Sequence, residues 1–303
     1  MKKSWLCFLF FPLCIYAQQE SYYSLYQYNM QIINPAFAGA EAEMTATVLN
    51  RNQWSILEDA PKTTAFSFSS ERANNVGLGL SVVSDKVFVE KQTFAYVDFS
   101  YKLELANDAK VFLGLKAGGN FYTADGIDLR SYGTEIDPAQ KMLSRFNPNV
   151  GVGAYLQSSS YWVSFSIPRL FNVRRDSDLY IAAKDRTHTY LGVGGQLNLS
   201  ERFIFKPSLM FRKVKGLPLN ADITGFLSIK NRMDFGISYR TKTALSYMVY
   251  INVFNGIDIG YAYETPSEAR LSGMSLKTHE VILRFRLGDN VVKTENQGSS
   301  LKE

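Results

Sequence analysis

The stretch Ile257-Asp258-Ile259-Gly260-Tyr261-Ala262-Tyr263 decides the fold. Its odd-numbered residues are large and apolar and its even-numbered ones small or charged, so a period of two places the sets on opposite faces of a β-strand. The same alternation recurs in fourteen segments, whose apolar sets start at Ala42, Thr64, Val76, Ala95, Val111, Val150, Tyr161, Thr189, Phe203, Leu219, Met233, Leu245, Ile257 and Val281. That parity holds 65 positions without a single charge, whereas the 51 interleaved positions hold eleven, among them Asp98, Lys116, Asp222 and Arg284. No amphipathic helix interrupts the pattern.

A soluble sandwich and a membrane barrel both alternate, with opposite faces turned to water. Loop length separates them. Connections after even-numbered segments average about 4 residues and those after odd-numbered ones about 15, the asymmetry of short periplasmic turns and long external loops. Backbone groups in lipid are satisfied only in a helix or a closed barrel. The sequence therefore predicts an all-β, antiparallel outer-membrane β-barrel of about 14 strands over residues 42–287, with both termini periplasmic.

Composition agrees. The 303 residues are 46% apolar and 14% aromatic, and a mean hydropathy of −0.12 is too polar for a bundle of membrane helices. Met1-Lys2-Lys3, the apolar run Trp5 to Ile15 and Ala17 before Gln18-Gln19 read as a secretory signal peptide over 1–17. Its removal takes away both cysteines, Cys7 and Cys14, and lowers the formal charge from +5 to +3. Such a balance offers no basic stripe for nucleic acid. Residues 18–41 form a separate N-terminal periplasmic or lumen segment, and 288–303 a polar C-terminal tail.

Within the barrel, Gly77, Gly79, Gly114, Gly118, Gly151, Gly153, Gly192, Gly194, Gly236 and Gly260 all share the small-or-charged parity and leave room in the lumen. Gly114 to Gly119 lies inside a strand and opens no helix, so it is no nucleotide loop. Tyr101, Phe121, Tyr161, Phe203, Phe211, Tyr239, Tyr247 and Tyr263 suit interfacial girdles. Pro207, which cannot donate to a ladder, marks a bulge or weakened seam. The two histidines, His188 and His279, have Asp185 and Ser272 as conceivable catalytic partners, but no motif supports them. Asp125, Asp128, Glu135 and Asp137 lack calcium-loop spacing. The expectation is a non-enzyme without cofactor or metal. The long loops Tyr122 to Asn149 and Pro168 to His188 are expected to face outward. The second is locally basic through Arg169, Arg174, Arg175, Lys184 and Arg186.

The lead-in to the barrel is too aromatic for a linker. Tyr22-Tyr23-Ser24-Leu25-Tyr26 runs into Asn34-Pro35-Ala36-Phe37-Ala38-Gly39, Gln53-Trp54 follows, and the chain closes with His279-Glu280-Val281-Ile282-Leu283-Arg284-Phe285. Together these features resemble the PorP/SprF family of outer-membrane proteins. One departure is Tyr28-Asn29-Met30, where that family usually has a further Asn-Pro. The resemblance implies a place in the type IX secretion system and a role in exporting, or retaining at the cell surface, proteins with C-terminal secretion domains, including adhesins of gliding bacteria. It marks Tyr23, Tyr26, Asn34, Pro35, Ala36, Phe37, Gly39 and Trp54 as candidate partner-binding or motif residues. The implied partners are outer-membrane lipid, a secreted client and other secretion components. A general porin for small solutes is the alternative. Asn34-Pro35 is a turn initiator and Gly39 a flexible exit, so Tyr22 to Gly39 is expected to fold back across the periplasmic mouth.

Overall fold

The computed structural model describes residues 22–41, 43–57, 59–105, 108–125, 142–171, 186–267 and 276–288. The expected leader, most of the polar tail, Arg174, Arg175, Lys184, Asp185, Ser272, and the carboxylates at 128, 135 and 137 lie outside them. The strands are β1 (Met44–Asn52), β2 (Lys62–Glu71), β3 (Val76–Val87), β4 (Glu90–Glu104), β5 (Lys110–Asp125), β6 (Met142–Gln157), β7 (Tyr161–Ile167), β8 (His188–Gly195), β9 (Leu197–Asn198), β10 (Phe203–Val214), β11 (Asn220–Ile229), β12 (Met233–Arg240), β13 (Ala244–Phe254), β14 (Ile257–Pro266) and β15 (Thr278–Leu287).

Each strand pairs antiparallel with the next around one ring, and β15 pairs back onto β1 from Met44 opposite Leu287 to Asn52 opposite His279. β8 and β9 both pair with β10 in a single register and form one wall strand, so the closed barrel has fourteen. Closure leaves no strand edge to be satisfied by lipid.

The burial pattern is that of a soluble protein turned inside out. Along β14, Ile259 and Tyr261 are 42% and 38% exposed, while Asp258 and Ala262 are 4% and 1%. The uncharged parity faces lipid, and the parity carrying charges and glycines faces the lumen. Tyr101, Phe121, Tyr161, Phe203, Tyr239 and Tyr247 are all exposed on the outer surface. The turns after β2, β4, β6, β11 and β13, Lys230-Asn231-Arg232 among them, are all short and share one rim. By the rule for such barrels that rim is periplasmic, which puts the outer ends of β1, β10, β12, β14 and β15 at Asn52, Val214, Arg240, Pro266 and Thr278.

Two strand lengths differ from the sequence reading. The alternation predicts a connection of about a dozen residues between the third and fourth strands, yet only Phe88 and Val89 separate β3 from β4. The ladder continues through Lys62 opposite Lys86 and Asp85 opposite Gln92, where both faces are polar and the alternation fades while the pairing persists. Likewise β6 begins at Met142, eight residues before Val150, and pairs Phe146 with Phe121.

At Pro207 the seam is interrupted. Pairing between β8 and β10 stops at Gly194 opposite Ser208 and resumes with β9 at Leu197 opposite Phe205. Proline has no N–H for this ladder, and the amide of Gln196 donates instead to the carbonyl of Ser160, 2.9 Å away. On its other side, Pro207 still pairs with Gly225 of β11.

Candidate functional site

Residues 22–41 occupy the lumen. Three short 3₁₀ turns, Tyr26–Tyr28, Met30–Ile32 and Pro35–Phe37, let the chain reverse within a narrow tube where an α-helix would need straight length. The third is built by its own sequence: the Asn34 side chain accepts from the Ala36 amide at 2.9 Å, and Pro35 fills the first helical position, where an N–H has no use. Gly39, at φ +69°, turns the chain out toward β1.

The segment does not pack across the periplasmic mouth as expected; it descends through the barrel. The Tyr22 ring lies in the outer half, 3.8 Å from the Arg212 guanidinium and 4.5 Å from that of Arg240. Below it, the Ser24 and Leu25 amides donate to the two oxygens of Glu280 at 3.0 and 2.8 Å, and the Ser24 hydroxyl donates to Glu264 at 3.1 Å. Tyr28 donates to Asp234 at 2.7 Å and stacks on Tyr250, with ring centroids 3.6 Å apart. Near the periplasmic rim, the Gly39 amide donates to Ser69 at 2.7 Å, and Glu41 pairs with Arg284.

The middle of the segment spans the other side of the ring. Gln31 donates to Asp98 at 3.0 Å, and Lys116 reaches from β5 to the carbonyl of Ile32 at 3.2 Å. Asn34 donates to the Ser164 hydroxyl at 2.8 Å and to the Ala154 carbonyl at 3.0 Å, and Ser166 donates to the Ile33 carbonyl at 2.7 Å. Hydrogen bonds among the described residues thus join the segment to eleven of the fourteen wall strands. A segment held so widely is a plug.

The lumen glycines are the sockets of this plug. A side-chain carbon at Gly77 would collide with the Ala38 carbonyl, one at Gly114 with the Ala36 backbone, and one at Gly153 with the Asn34 amide oxygen. The sequence reading placed these glycines in the lumen, but not what fills the space they leave.

Charge is neutralised locally. Arg51, 1% exposed, bridges Glu264 at 2.8 Å and Glu280 at 2.9 Å, and Arg240 joins Glu264 at 3.0 Å to Asp222 at 2.9 Å. Buried carboxylates survive in a lumen only when so paired. Burial pushes the phenols of Tyr23, Tyr26 and Tyr28 above the ordinary tyrosine value, and Asp234 beside Tyr28 raises that one further.

Of the candidate residues, Tyr23, Tyr26, Asn34, Pro35, Ala36, Phe37 and Gly39 are gathered in the plug, with Phe37 edge-on to Tyr155. Trp54 is not with them. It stands exposed at the external rim, in the left-handed backbone region at φ 50°. His279 accepts or donates a 2.8 Å bond with Tyr261, and His188 starts β8. On the external side of the plug, a small pocket of about 40 Å³ is lined by Tyr23, Phe94, Tyr96 and Tyr190 together with Asp85, Lys116 and Arg169. The sequence reading did not foresee it, because its lining comes from strands far apart in the chain.

A closed ring of fourteen strands with an apolar outside, a polar inside and a plug of its own chain defines an integral outer-membrane β-barrel. The family described as type IX secretion system membrane protein PorP/SprF matches residues 15–285, and the chain belongs to that family. Among curated proteins, none matches. Solved structures that resemble it include the Acinetobacter baumannii outer membrane protein Omp33, 7% identical over 82% of this chain and 100% of that one, with a TM-score of 0.47. The CymD monoaromatic hydrocarbon channel is 10% identical over 84% of this chain and 90% of its own, with a TM-score of 0.49. Salmonella typhi OmpF is 8% identical over 81% and 97%, with a TM-score of 0.37.

Proposed function

We propose that this outer-membrane component of the type IX secretion system is a non-enzymatic barrel that assists the secretion, or retention at the cell surface, of proteins with C-terminal secretion domains, including adhesins used in gliding. The observation that carries this reading is the plug. A lumen bonded to its own chain through strands all around the ring leaves the barrel as a rigid platform in the membrane, which disfavours a general solute porin. The exposed Trp54 at the external rim gives that platform a surface from which a client can be held.

The test pairs recordings of the wild type with the phenotype of one deletion, residues 22–37. Planar-bilayer recordings of the purified wild type are expected to be silent, and client display at the surface is expected to fail in the deletion strain while small-solute uptake continues. Stable conductance from the wild type, with normal client display in its absence, would sink the reading in favour of the porin.

A further inference from the structure

The outer wall carries a groove that the secretion role does not use. It is about 1320 Å³ in volume and runs over β8 to β13 on the lipid-facing side. Its floor is a line of small residues at outward positions. Pro207 pairs with Gly225, and the interrupted register sets Gly195 on its other side. Elsewhere this parity mostly presents Leu, Ile, Val, Phe or Tyr to the membrane, so Val193, Phe205, Leu209, Ile223 and Leu227 stand as walls around a depression.

The groove spans the wall from Tyr239 near the outer end to Tyr161 and Leu197 near the periplasmic rim, and at the periplasmic end the chemistry changes. Arg202, Lys230 and Arg232 end the hairpins directly below it, on the exposed side of the rim, against the single carboxylate Glu201. Their backbones are tied together: the Lys230 amide donates to the Arg202 carbonyl at 2.8 Å, and the Arg232 amide closes the turn around Lys230 by donating to the Ile229 carbonyl at 3.0 Å. Among the described residues none of the three has an ion pair. Phe205 lies three residues up β10 from Arg202, and Leu227 three residues up β11 from Lys230, a rise of roughly 10 Å. Cations at the water interface, then a short step to an apolar channel, match a molecule with a phosphate head and a hydrocarbon tail.

We propose that this groove is a binding site for one phospholipid of the periplasmic leaflet, with its phosphate among Arg202, Lys230 and Arg232 and an acyl chain lying along Gly195, Pro207 and Gly225. The missing ladder bonds at Pro207 weaken the wall at this point, and a bound chain packs against the weakened seam.

The experiment uses the full-length mature barrel, extracted in mild detergent and exchanged into detergent without lipid. Retained phospholipid is read by phosphorus assay and native mass spectrometry, then after readdition of phosphatidylglycerol or phosphatidylethanolamine. Wild type is expected to keep about one phospholipid per barrel. The triple variant Arg202→Gln, Lys230→Gln, Arg232→Gln is expected to lose retention roughly a hundredfold, since three cations near the membrane surface contribute about 1 kcal/mol each. Pro207→Leu, which fills the depression, is expected to lose it as well; if that variant does not fold, the triple variant decides. The control Arg72→Gln, Lys110→Gln, at the same rim on the far side of the barrel, is expected to retain lipid. No retained lipid in wild type, equal loss in the control, unchanged retention in the triple variant, or a co-purifying polypeptide on this face would each overturn the proposal.

Discussion

Ala36 lies against Gly114 so closely that a single added carbon on the glycine would enter the Ala36 backbone. Gly114→Val is therefore expected to displace the plug without breaking the ring, because β5 keeps its pairing to β4 and β6. Overpacking of this kind costs about 1–3 kcal/mol. Bilayer recordings check it: current steps in the variant that the wild type lacks are expected, and a silent variant of unchanged stability would remove Gly114 as a socket.

Asn34→Ala takes away the cap on the third 3₁₀ turn and the two bonds to β6 and β7. Loss of a cap costs about 1 kcal/mol and stranding the buried Ser164 hydroxyl and Ala154 carbonyl adds about 1–3 kcal/mol. Urea unfolding in detergent is expected to show the midpoint fall. Asn34→Asp keeps the cap oxygen but turns an unpaired buried carboxylate toward the Ala154 carbonyl, and its midpoint is expected to fall at least as far.

Replacing Arg51 with Ala leaves Glu280, and part of Glu264, buried without their cation. Breaking such a pair costs about 3–5 kcal/mol. The folded species, seen as a heat-modifiable band on a gel, is expected to unfold at markedly lower temperature. Because Glu280 also holds the Ser24 and Leu25 amides, protease sensitivity of the plug is expected to rise in the same variant.

The plug phenols supply a pH dependence. Tyr23, Tyr26 and Tyr28 titrate above the ordinary value of 10.0 in the folded protein, so the native state holds more protons than the unfolded one at alkaline pH. Their contribution is complete below about pH 10 and is lost as pH rises beyond it. Tyrosinate absorbance is expected to lag in the folded barrel and to appear together with unfolding; three phenols ionising reversibly near pH 10 in a folded barrel would contradict the burial.

Much of the wall was legible because membrane and lumen impose opposite demands on alternate residues, and the 65 uncharged positions record that selection. Where both faces meet water, as in Ser84-Asp85-Lys86 opposite Lys91-Gln92-Thr93, the demand disappears and the strands outran the sequence reading. The plug was harder. Short 3₁₀ turns carry no periodicity, so Tyr22 to Gly39 could be set apart as a segment but not oriented. Its sockets were visible as lumen glycines, yet a glycine records only that space is needed. The ion pairs of Arg51 and Arg240 join strands at opposite ends of the chain, and no local pattern announces them.

The direction of the plug carries one more consequence. The described plug runs from Tyr22 in the outer half to Glu41 at the periplasmic rim and there becomes β1, the strand whose zipper to β15 completes the circle. The plug and the strand that closes the ring are one continuous stretch of chain. A pull on Tyr22 to Glu41 is therefore felt first where Met44–Asn52 meets Thr278–Leu287, as a tug on a bung tied to one stave is felt at that stave's joint.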